Sequence, residues 1–172
     1  MHLHQMDVNT AFFNGEIETK VYMGRPNVLG GDEPFVKLKK ALYGLKQASR
    51  IWNNNIVSFM KELYFKQSIV KPCIYIYGEH STKVIVGVYV DDIIIVSQLL
   101  DKIQFVKNAL MVKYSMKNIN ELNTIIGIKV VRYKEGISIH YEKYVDAIVD
   151  ISYIRDVMRR GFWLSIYPRS AN

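Results

Sequence analysis

The sequence predicts an α+β domain: an antiparallel sheet covered by helices. Three observations predict it. Short apolar runs rich in Val, Ile and Tyr recur along the chain, interrupted by two stretches of helical spacing. The runs KVIVGVYV and IIIV are separated only by Asp91 and Asp92, too few residues for anything but a hairpin. A second hairpin is expected where IIGIKVVRY and GISIHY flank Lys134-Glu135-Gly136. Hairpins with two covering helices make an α+β layer, not a doubly wound sheet.

The elements follow in order. Leu3 to Val8 reads as a strand, and AFFNGE after it holds the turn dipeptide Asn14-Gly15. KVYMGRP is a short extended piece ended by Pro26, and NVLGGDEP, residues 27 to 34, is the most loop-like segment. From Ala48 the spacing turns helical, with Trp52, Ile56, Phe59, Met60 and Leu63 on one face, although Asn53-Asn54-Asn55 is a poor helix interior. CIYIYG reads as a strand, followed by the hairpin around the aspartates. Leu99, Ile103, Val106 and Leu110 restore helical spacing, and EKYVDAIVDI reads as a last short helix. No internal repeat is present.

Composition narrows the function classes. The chain has 172 residues, 49% of them hydrophobic, enough for a core of its own. An aromatic share of 12% argues against disorder. The net charge of +7 fits a polyanionic partner such as nucleic acid or an acidic membrane surface. A single cysteine, Cys73, allows no intrachain disulfide and suits a reducing compartment. With no run long enough to span a membrane and no signal-peptide layout, an intracellular location is expected, cytoplasmic or nuclear.

The stretch VIVGVYVDDIIIVS carries the chemistry. Two adjacent carboxylates interrupt what would otherwise be core. One reading is a turn, since Asp tolerates turn geometry; the other is a metal site. Asp7 also ends an apolar strand, so Asp7, Asp91 and Asp92 could converge on one cation. Such a cluster repels itself until Mg²⁺ binds carboxylate oxygens and accepts phosphate oxygens from a substrate. Strand alternation sends Asp91 and Asp92 to opposite faces, and spacing alone does not prove convergence. Lys37, Lys39, Lys40, Lys46 and Arg50 form the densest basic patch, interleaved with Leu38, Leu42, Tyr43 and Leu45, which suits phosphate contacts as well as it suits a solvated face. His2 and His4 share a strand face but have no third ligand nearby in sequence, so structural histidines are expected there.

Four blocks in this order, QMDVNTAFFNGEIETKVYM, KLKKALYGLKQASRIW, YVDD and IIGIKV, closely resemble the reverse transcriptase of copia-type LTR retrotransposons. The likeness covers roughly residues 3 to 150. It implies a polymerase palm-like antiparallel sheet and RNA-directed DNA synthesis. Two Mg²⁺ ions, with Mn²⁺ able to substitute, would be held by Asp7, Asp91 and Asp92, of which Asp92 is the less strictly required. By the same resemblance the backbone of Val8 faces a metal and Phe12 excludes ribonucleotides by collision with the 2′-hydroxyl. Gln47 lies near the incoming nucleotide, Tyr89 belongs to the substrate site, and Gly127 grips the primer terminus. Lys117 could assist pyrophosphate departure, but a plain surface lysine is the expectation there. Partners would be an RNA or DNA template–primer, deoxynucleoside triphosphates, and the integrase and RNase H regions of the parent polyprotein.

There are departures from the family pattern. The chain starts almost at the first aspartate, so the basic fingers region is expected to be largely missing. Ser49 stands where the family has Pro, and aromatics usual near Thr124 and Ile125 are absent. A partial palm-like domain is therefore expected over residues 1–150, with a divergent tail over 151–172. Two other classes stand beside the polymerase: a catalytically inactive remnant that binds nucleic acid, and a purely structural module.

Overall fold

Alternation along the first strand, β1 (His2–Val8), sets up a sheet with two unlike faces. Met6 and Val8 are buried, while Asp7 between them is half-buried on the other side. The computed structural model describes residues 1–134 and 136–141. They form two units, Met1–Leu122 and one beginning at Asn123. The expected helix at EKYVDAIVDI, the boundary at residue 150 and the tail lie outside the described residues.

In the first unit a 3₁₀ turn, Ala11–Asn14, follows β1. Asn14-Gly15 ends this turn and makes no hairpin. The strands β2 (Tyr22–Gly24) and β3 (Phe35–Lys37) pair across the loop that NVLGGDEP forms. Helix α1 (Ala48–Glu62) then buries Trp52, Ile56, Phe59 and Met60, the stripe that the spacing marks. Its asparagines are tolerated because Asn53 and Asn54 face solvent and Asn55 Nδ2 donates to the carbonyl of Asn14 at 2.9 Å. The strands β4 (Lys66–Gln67), β5 (Ile74–Tyr77), β6 (Val84–Tyr89) and β7 (Asp92–Ser97) come next, then α2 (Leu100–Lys113) and β8 (Met116–Glu121). The sheet is six-stranded and antiparallel in the order β4-β5-β6-β7-β1-β8.

One face of that sheet, with Met6, Val8, Val84, Val86, Ile93 and Ile95, joins Ile56, Phe59 and Met60 of α1 and Ile103, Val106 and Leu110 of α2 in a single core. This is the α+β arrangement the sequence predicts. A β-bulge between Gln5 and Met6 shifts the β1–β8 register, so the two strands stay paired on either side of it. Lys107 of α2 is buried under this edge, its Nζ 2.8 Å from His4 Nδ1 and donating to Asn118 Oδ1 at 2.9 Å. His4 is thus a structural histidine, as expected.

The second unit contains the strands β9 (Thr124–Ile125), β10 (Ile128–Arg132) and β11 (Ile137–His140) in the order β11-β10-β9. The β10–β11 hairpin closes where Lys134-Glu135-Gly136 predicts it, with Arg132 opposite Ile137. Ile126 and Gly127 join β9 to β10 with φ of 48° and 77°, the paired left-handed conformation of a two-residue hairpin turn that glycine adopts freely.

Candidate metal centre at the aspartate turn

β6 and β7 are joined by Val90 and Asp91 alone. Asp91 lies in the turn itself, so alternation does not dictate its direction and the expectation of opposite faces does not apply. Val90 has a φ of 55°, a left-handed conformation that a β-branched residue adopts only under constraint. Three contacts supply the constraint. Trp52 of α1 donates its indole N–H to the Val90 carbonyl at 2.6 Å. The Val8 amide donates to the Asp91 carbonyl at 2.8 Å. Gln5 Nε2 donates to Asp92 Oδ1 at 2.7 Å. A longer contact, 3.4 Å, runs from the Tyr43 hydroxyl to Asp91 Oδ2.

Asp7 and Asp92 are directly opposed in the β1–β7 pair, so both project from the face turned away from the helices. Burial raises the pKa of Asp7, the charges of Asp91 and Asp92 raise it further, and Lys117, opposite it on β8, lowers it. The Tyr43 hydroxyl is also raised, by burial first and then by Asp91. Asp7 and the two carboxylates that act on it are a hard oxygen donor set of the kind a divalent cation neutralises. Even so, among the described residues no three His, Cys, Asp or Glu side chains are gathered tightly enough to hold a metal ion as they stand. Asp92 leans along the sheet to Gln5.

The other candidate residues fall in several places. Val8 has a buried side chain and presents only its backbone to the turn. Phe12 is half-buried beside Tyr43, ring centroids 4.4 Å apart, and lines a cleft of about 150 Å³ with Trp52, Val88 and Val90. Tyr89 pairs with Asp92, on the carboxylate face, and is exposed. Lys37, Lys39, Lys40, Lys46 and Arg50 are all exposed. Gln47 and Arg50 line a polar cavity of about 850 Å³ together with Glu16, Glu18, Glu62 and Lys113, so Arg50 sits among acids and not in a purely basic stripe. Gly127 belongs to the second unit. Sequence reasoning missed Gln5, Tyr43 and Trp52 as supports of the turn; each lies within a motif block, but its partner lies 38 to 87 residues away.

Residues 1–159 match the family described as reverse transcriptase (RNA-dependent DNA polymerase). The chain belongs to the reverse transcriptase family. Its relatives place it in the copia-type group. The chain is 34% identical over 157 residues to the retrovirus-related Pol polyprotein from transposon TNT 1-94 of Nicotiana tabacum, covering 87% of the chain and 12% of that relative. It is 32% identical over 146 residues to the corresponding polyprotein from transposon RE1 of Arabidopsis thaliana, covering 83% and 10%. A putative transposon Ty5-1 protein of Saccharomyces cerevisiae is 28% identical over 145 residues, with 81% and 47% covered. The chain thus spans about a tenth of the length of the first two relatives. No helix among the described residues is long and apolar enough to cross a membrane.

Proposed function

We propose that the six-stranded sheet is the palm of an RNA-directed DNA polymerase and that the aspartate turn is its metal centre. The observation that carries this reading is the placing of Asp7 opposite Asp92 and within the field of Asp91, on the sheet face the helices leave uncovered. Asp7 and Asp91 would hold divalent cations, Mg²⁺ or Mn²⁺, with Asp92 beside them. Such cations supply Lewis-acid activation of a primer 3′-hydroxyl and neutralise charge on the departing pyrophosphate.

The chain's own side chains do the rest. Asp7 and Asp91 fix where the α-phosphate of a deoxynucleotide sits relative to the primer. Lys117, across from Asp7 on the same face, offers a positive charge to phosphate oxygens. Phe12, whose ring packs on Tyr43, would wall the sugar side and exclude a 2′-hydroxyl by collision. Tyr89 lies next to the carboxylates, where a base or sugar packs on its exposed ring. Lys37, Lys39, Lys40, Lys46 and Arg50 bind the template–primer backbone, Gln47 lies toward the nucleotide, and Gly127 turns the segment that holds the primer end.

The test is primer extension on an RNA template by this segment carried within a whole Pol polymerase. Asp91→Asn should cut extension by about three orders of magnitude or more, because a charged ligand is lost where negative charge develops. Full activity in Asp91→Asn would refute the metal role. Extension that does not depend on the divalent ion would do the same.

A further inference from the structure

Resting on the cation-site reading above, we propose that Gln5 is a positioning residue that holds Asp92 out of the cation site, leaving Asp7 and Asp91 as the binding pair. Gln5 is only 7% exposed, and its amide donates to Asp92 Oδ1 at 2.7 Å. A hydrogen bond from a buried neutral donor to a carboxylate is among the stronger side-chain interactions. The register explains the reach. Gln5 faces Ile94 and Asp7 faces Asp92, so Gln5 is the diagonal neighbour of Asp92 on the same sheet face.

Asp92 has two directions open to it. One leads across to Asp7, a like charge; the other leads along the strand to the Gln5 amide. The amide satisfies a carboxylate oxygen, whereas Asp7 repels it, so without a donor at position 5 Asp92 would be free to join Asp7 and Asp91. Two facts agree with this. Asp7 and Asp92 are direct partners across β1 and β7, yet among the described residues the three carboxylates are not drawn together into one cluster. The Asp91 backbone, by contrast, is fixed by Val8, so its position does not depend on Gln5.

The experiment is a Mn²⁺ titration of the full 172-residue chain followed by water-proton relaxation. It compares wild type with Asp91→Asn, Asp92→Asn, Gln5→Met and the double variant Gln5→Met/Asp92→Asn. Methionine keeps the length of the side chain and removes the donor. Asp91→Asn should weaken binding more than about tenfold and Asp92→Asn less than about threefold. Gln5→Met should tighten binding about three- to tenfold by releasing Asp92, and adding Asp92→Asn should abolish that gain. A purely structural role for Gln5 would weaken binding or leave it alone, and it would show no such coupling to Asp92. Unchanged affinity in Gln5→Met overturns the proposal. So does a loss in Asp92→Asn as large as that in Asp91→Asn, a comparison that stands even if Gln5→Met melts early. A wild-type chain that binds no Mn²⁺ saturably, or an Asp91→Asn chain that binds as wild type does, overturns the cation site itself and is recognisably a different result.

Discussion

Asp7 is held in a place that disfavours its charge. Burial is the larger cause, the neighbouring Asp91 and Asp92 add to it, and Lys117 only partly offsets them. The folded pKa is raised above the ordinary carboxylate value, so Asp7 contributes stability that is fully present below about pH 4 and lost as the pH rises through the folded value. At neutral pH, Asp7→Asn should therefore raise the melting temperature of the ion-free chain by a few degrees, and the gain should shrink as the pH is lowered toward 4. Thermal melts of the two chains across this range check it; an Asp7→Asn chain that melts lower at neutral pH would contradict the electrostatics. Phe12 makes a separate prediction. Its ring is braced by Tyr43, so Phe12→Ala should leave deoxynucleotide incorporation measurable while admitting ribonucleotides. The ratio of the two incorporation rates reads this directly. Unaltered discrimination would remove Phe12 from the sugar wall without touching the carboxylates.

Between elements, Gly15 comes closest of the described glycines to a neighbour, lying against Ile51 of α1. A Cβ added at Gly15 would run into the Cγ2 of Ile51, and the backbone there, with a φ of −105°, is one any residue adopts. The penalty for a side chain at this point is therefore steric alone. Gly15→Ala should destabilise the chain by about 1–3 kcal/mol, as overpacking does, and Ile51→Ala should largely remove that penalty in the double variant. Denaturant unfolding of the four chains measures it. A penalty that persists without the Ile51 side chain would mean that the backbone of the turn, not its contact with α1, is what resists change. The same contact zone explains how α1 survives its asparagines: Asn55 ties the helix to Asn14 across the gap that Gly15 keeps narrow.

For the whole molecule the relevant quantity is charge. The excess of +7 is carried in part by the exposed Lys37, Lys39, Lys40 and Lys46, a group on the segment that runs from β3 to the start of α1. Binding to a primed RNA template should weaken steeply with salt, because each phosphate neutralised releases counterions. Replacing Lys39, Lys40 and Lys46 together by Ala should lower the slope of log affinity against log salt by roughly two to three, about one unit per lost phosphate contact. Arg50, set among Glu16, Glu18 and Glu62 at the polar cavity, should contribute less than any of these lysines. Equilibrium binding at several salt concentrations decides it; a slope unmoved by the triple substitution would place the nucleic acid on another surface.

Local patterning was enough to make most of this structure legible in the sequence. Short apolar runs gave β1, β6 and β7, the apolar stripe of Trp52, Ile56, Phe59 and Met60 gave α1, and the turn residues near Gly136 gave the β10–β11 hairpin, because each pattern is written within a few neighbouring residues. The four ordered motif blocks were enough for the family. β8 was not legible. Four of its six residues, Met116–Glu121, are polar and all but Met116 are exposed at the edge of the sheet, so no apolar alternation marks them, and only pairing with β1 makes them a strand. The surroundings of the aspartate turn were hidden for a related reason. That Gln5 reaches Asp92 and Trp52 reaches the Val90 carbonyl follows from strand register and helix packing, which join residues 87 and 38 positions apart. Sequence placed the carboxylates on the chain; the register between β1 and β7 decided that Asp7 and Asp92 face each other, since pairing across a sheet is set by the packing of the whole face and not by any one strand.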